Sequence, residues 1–204
     1  MNDSTFANEH LGVVSLLRRP SAYFSCSQFM TDFKQATPAT LTAFLGYYFW
    51  SVSRVFSEML DPEKVSLPLN AVLLYAVIGA VIGAAFVGGT LNFAAKVAGG
   101  KPQFQRITFC LGSAAFYPSM LAAASTGALL FILDSAVGQW WVGNYLLNVW
   151  ILLSVIAGFW MVYNVLLATR LVYEFTWARA VTTWFLLYAT LIGTVFAISF
   201  ALWS

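Results

Sequence analysis

The chain has 204 residues, of which 60% are hydrophobic and 17% aromatic while only 9% are charged; an ordinary soluble domain carries roughly 25% charged residues. With a mean hydropathy of +0.78 this composition excludes a soluble globular domain and points to an all-α, polytopic membrane protein. The formal net charge of +2 is too small to argue for a nucleic-acid partner, so the placement of the charges matters more than their sum.

In chain order, residues 1–37 read as a cytoplasmic, interfacial leader and residues 38–204 as the membrane domain. Acidic Asp3 and Glu9 precede the short apolar run Leu11 to Leu17, and Arg18 and Arg19 follow it, which is the reverse of a signal peptide. LGVVSLLRRPSAYF and then SQFMTDFKQ mix apolar and aromatic residues with Arg18, Arg19 and Lys34, the composition of an amphipathic helix lying in the headgroup plane. Two readings are open for it: a docking element for anionic lipid or a partner, or an anchor that shields the base of the bundle.

Five apolar runs follow, over residues 38–59, 68–96, 107–133, 141–169 and 180–203. Each is long enough for a helix to cross a hydrocarbon core of about 30 Å. None shows the two-residue alternation of a barrel strand, and a helix satisfies its own amides in lipid. The expectation is therefore a five-helix transmembrane bundle.

Arg18, Arg19, Lys34, Lys96, Lys101, Arg106, Arg170 and Arg179 fall on one side of these runs, and only Arg54 and Lys64 on the other. This bias predicts a cytoplasmic N-terminus and an external C-terminus. Trp140, Trp141 and Trp203 then lie at the outer interface, and Trp177 and Trp184 near the inner one.

Between the second and third runs, Gly99 and Gly100 permit positive φ and end a helix, Lys101 complements its C-terminal dipole, and Pro102 prevents its continuation. Pro118 removes a hydrogen bond inside the third run and predicts a kink, with Ser113 or a neighbouring helix satisfying the freed carbonyl. The kink either shapes packing or opens a cavity. Gly79 and Gly83 form a GxxxG pair whose close approach serves either internal packing or a homo-oligomer.

Ionisable residues within the runs are the usual mark of transport. Here Arg54 pairs by expectation with Asp134 or Glu58 at the outer rim, or serves a gate; Asn144 and Asn148 share a face and suit interhelical hydrogen bonding. The single histidine, His10, is in the leader, and Cys26 and Cys110 have no metal-site spacing. No triad, carboxylate dyad or metal site is expected, hence no cofactor and no enzymatic activity.

LLRRPSAYF with Pro20 and Phe24, Gly99-Gly100-Lys101 with Phe104, Tyr117-Pro118, and RLVYEFTWARAV with Leu171-Val172-Tyr173 and Arg179-Ala180 occur in this order. In these features the chain resembles the Yip-domain family of five-span membrane proteins. The resemblance implies, for eukaryotic relatives, cytoplasmic N-termini and contacts with small Rab-type GTPases in trafficking. The Asp-Leu-Tyr-Gly-Pro signature of those relatives is missing here, so GTPase binding is not carried over, and the chain resembles the short bacterial members.

The expected function is that of a noncatalytic scaffold or accessory subunit in a bacterial inner membrane, organising lipid or a membrane-protein complex. Its docking residues are Arg18, Arg19, Lys101, Arg106, Arg170 and Arg179, gathered with neighbouring aromatics on one basic face. A small transporter or lipid-moving protein with a cleft beside Pro118 is the alternative.

Overall fold

A computed structural model describes residues 13–26, 37–59, 68–134 and 142–203. It is helical: α1 (Val13–Arg18), α2 (Pro20–Cys26), α3 (Thr37–Met59), α4 (Leu69–Val97), α5 (Phe104–Asp134), α6 (Val142–Val172) and α7 (Trp177–Trp203), with no strand among the described residues. The helix bounds fall within three residues of the apolar runs, because glycine, proline and charge punctuate those runs where the helices stop. Among the described residues three segments, Asn70–Val97, Phe104–Ile132 and Tyr145–Val172, are long and apolar enough to cross a membrane.

Small side chains share the core with large ones such as Leu91 and Ile107. Ala95, Ala114, Ala168 and Ala180 are completely buried, whereas Phe131, Phe159, Phe185 and Phe200 are all more than 70% exposed. In water this distribution would be costly, but in lipid the outer surface needs no polarity and close helix approach supplies the attraction.

Helix α5 is central, packing chiefly on α3 and also on α4 and α6; α7 leans on α4 and α6. The α3–α5 seam is a backbone-to-backbone crossing: a Cβ added at Gly46 would collide with the Gly112 carbonyl, and one at Gly112 with the Ala43 carbonyl. Gly79 and Gly83 face Ser51 and Trp50 of α3, so their lack of side chains serves contact within this chain.

The leader breaks into two short helices. Arg19 separates them, and Pro20, which has no N–H to lose, starts the second. Leu16, Tyr23 and Phe24 are buried in the main core with Ile107, Cys110 and Ala168, so one side of this segment packs into the bundle, while Val14 and Leu17 are exposed. Lys34 lies outside the described residues.

Helix α5 is continuous through Pro118. Proline there leaves the Ala114 carbonyl without its helical donor, and Asn164 of α6 supplies one, donating from Nδ2 at 3.4 Å. Ser113 is engaged elsewhere, in a 3.2 Å hydrogen bond with the Tyr23 hydroxyl.

Candidate docking face at the base of the bundle

Two helix ends meet at the end of the bundle where α4 stops and α7 starts. Helix α4 closes with Gly99 at φ +87°, and the N–H groups of Gly100 and Gly99 donate to Ala95 O at 2.8 Å and Lys96 O at 3.1 Å. This is the paired bonding of a Schellman cap, and it needs a residue that tolerates the left-handed region. Helix α6 ends in a similar way, with Glu174 at φ +55° and the Phe175 N–H donating to Arg170 O at 2.8 Å.

The two caps are packed together. A Cβ on Gly100 would come within 2.8 Å of Phe175 and 3.1 Å of Tyr173, so only glycine lets the second turn sit this close. Asn92 joins them: its Oδ1 accepts from the Gln103 N–H at 2.8 Å and from the Tyr173 hydroxyl at 3.1 Å. One side-chain amide thereby holds α4, the start of α5 and the end of α6.

Helix α7 starts from the same place. Thr176 caps it, its Oγ1 accepting from the Arg179 N–H at 3.3 Å. Trp177 stacks on Tyr163 and receives the Arg170 guanidinium 5.0 Å above its ring centroid, an arrangement suited to a delocalised cation. Further along, Trp184 Nε1 donates to Thr169 Oγ1 at 3.0 Å and ties α7 to α6.

Arg18, Arg19, Lys96, Lys101 and Arg179 are exposed, with Glu174 as the neighbouring acidic residue. Arg106 is half-buried and donates to Gln103 Oε1 at 3.0 Å, while Arg170 is half-buried beside Trp177. The residues expected to dock therefore divide into exposed cations and two arginines bound into the protein. Burial pushes the Tyr23 and Tyr173 phenols upward, so both remain neutral hydrogen-bonding groups.

The turn brings Gly99 and Gly100 to this base, whereas Pro118 is fully buried inside α5. Arg54 and Glu58 are exposed one turn apart on α3; the side chains of Asp134 and Asn144, and the whole of His10, lie outside the described residues. Asn148 is exposed. No group of three His, Cys, Asp or Glu side chains comes together among the described residues.

Sequence reasoning passed over Asn92. Its signal was a lone amide in the apolar stretch TLNFAAKV, one turn before the helix stops. Glu174 carried no signal, since glutamate is not a residue expected at positive φ.

An apolar outer surface and long apolar helices mark an integral membrane protein of the all-helical class. The Yip1 domain matches residues 14–200, and the chain belongs to the Yip1 domain family. No curated protein and no solved structure matches the chain.

Proposed function

We propose that this chain is a noncatalytic, five-span scaffold or accessory subunit of a bacterial inner membrane, with its N-terminus in the cytoplasm and its C-terminus outside. Its base docks anionic headgroups and a membrane-protein partner. The observation that carries this reading is the double cap around Asn92, a firm platform beside which Arg18, Arg19, Lys101 and Arg179 remain exposed. A backbone platform that is already formed needs no reorganisation on meeting an anionic surface, and each exposed cation adds about 1 kcal/mol at such a leaflet.

Helices α3 and α7, of 23 and 27 residues, have the length for the two further spans. The charge bias of the connections sets the orientation.

The test replaces Arg18, Arg19 and Lys101 by glutamine and isolates the protein from native membranes with mass spectrometry of what accompanies it. Loss of a stoichiometric protein partner, with unchanged thermal melting in detergent, supports the reading. Retention of the same partner by the triple variant overturns the docking face. Labelling of Lys101→Cys from the external side of intact cells overturns the orientation.

A further inference from the structure

Between α4 and α7 runs a groove of about 270 Å³, walled by Gly89, Phe93 and Val97 on one helix and Leu187, Thr190 and Leu191 on the other. Its hydroxyls are turned inward to their own helices: Thr90 Oγ1 donates to Phe86 O at 2.7 Å and Thr190 Oγ1 to Leu186 O at 2.8 Å. What remains facing the groove is hydrocarbon. A preformed apolar cavity of about 150 Å³ accepts benzene, so this one has room for a stretch of alkyl chain.

The ends of the groove differ. Lys96 adjoins Val97 at the base end of the α4 wall, and Arg179 is seven residues before Leu186 on α7, about 10 Å along the axis toward the base. Both side chains are exposed. Arg179 is also in the first turn of α7, where the positive end of the helix dipole favours an anion. An apolar slot with two cations at one mouth is complementary to an amphiphile with a hydrocarbon tail and an anionic head.

We propose that this groove holds an acyl chain of an anionic bilayer phospholipid, whose phosphate is gripped between Lys96 and Arg179. The assignment rests on the reading that the base lies at headgroup level. It shares Arg179 with the docking platform but uses none of Arg18, Arg19 and Lys101, so the two can be varied apart.

The experiment uses the full chain in nanodiscs of phosphatidylcholine containing phosphatidylglycerol with a photoreactive acyl chain. After irradiation, crosslinks are mapped by peptide mass spectrometry, and lipid retained after detergent extraction is counted by native mass spectrometry. The expected result is crosslinking concentrated on residues 89–97 and 186–191. Lys96→Gln with Arg179→Gln should lower retained phosphatidylglycerol about thirtyfold relative to phosphatidylcholine, taking the usual contribution of two basic residues at an anionic leaflet. Thr190→Trp, which fills the groove, should abolish the crosslinks there while leaving those on the outer face of α6 unchanged.

Crosslinks spread evenly over α4, α6 and α7 would show annular lipid alone and overturn the proposal, and this arm needs no variant to fold. Disulfide dimers of Thr190→Cys formed in the same membranes would identify a second copy as the occupant and likewise overturn it. The Arg18, Arg19 and Lys101 triple variant should keep the groove crosslinks even where it loses its protein partner. That contrast separates failure of the lipid site from failure of the docking platform.

Discussion

Asn92 and Tyr173, 81 positions apart in the chain, are joined by a hydrogen bond of 3.1 Å from the tyrosine hydroxyl to the amide oxygen. Because the same oxygen also takes the Gln103 N–H, one acceptor fixes the spacing of three helix ends. Removing it would leave a buried phenol and a backbone donor to find new partners, at about 1–3 kcal/mol. Asn92→Ala should therefore lower the melting temperature in detergent. Tyr173→Phe, which removes one bond and leaves the Gln103 contact, should cost less. Equal melting of Asn92→Ala and the native chain would mean that the double cap does not depend on this amide.

The partnership of Pro118 and Asn164 predicts an energetic coupling. Asn164→Leu should cost about 1 kcal/mol, in the range of polar contacts between membrane helices, because the Ala114 carbonyl loses its donor. In a Pro118→Ala background, where residue 118 again carries an N–H, the same change should cost measurably less. A double-mutant cycle by thermal or denaturant unfolding reads the difference; strictly additive costs would break the link.

Two glycine substitutions should act in opposite directions. At Gly112 a methyl would strike the Ala43 carbonyl and come within 2.7 Å of Tyr47, so Gly112→Ala should destabilise by about 2–3 kcal/mol through overpacking of α3 against α5. Nothing lies within 4 Å of a Cβ at Gly158. Gly158→Ala should stabilise by about 0.5–1 kcal/mol, the ordinary helix preference for alanine. Unfolding of both variants under one set of detergent conditions makes the comparison.

Burial raises the Tyr23 phenol above its ordinary value, which is about 10 in an unfolded chain. The sign follows: below pH about 10 both states are protonated and the contribution is complete, and above it the unfolded chain ionises first, so stability falls as pH rises. Melting followed between about pH 8 and pH 11 should show a decline that is shallower in Tyr23→Phe. That variant should also start lower, by about 1 kcal/mol, for want of the bond to Ser113. Parallel declines in the two proteins would exclude Tyr23 as a contributor.

Much of the helical layout was legible because its determinants are local. Gly99 at the end of α4 and Pro20 at the start of α2 act on their own turns, and their effects can be read without knowing what lies opposite. The partners were not legible. That Asn164 rather than Ser113 serves the Ala114 carbonyl, and that Tyr23 reaches Ser113, depends on which faces of α2, α5 and α6 meet. In a chain whose helices are apolar on every side, hydrophobic patterning does not mark an inward face. Membership of the family showed in short motifs, yet Asn92, which organises the base around them, belongs to none of those motifs.

Among the described residues α7 rests chiefly on α4 and α6, which bears on how the protein is put together. The contacts centred on α5 lie among α3 to α6, all of which precede α7 in the chain, so the berth of α7 is walled by segments made before it. Its indole at Trp184 can reach Thr169 only once α6 has settled against the rest. The seat of the last helix is thus made by chain that precedes it, and a change that displaces α4 or α6 should loosen α7 with them.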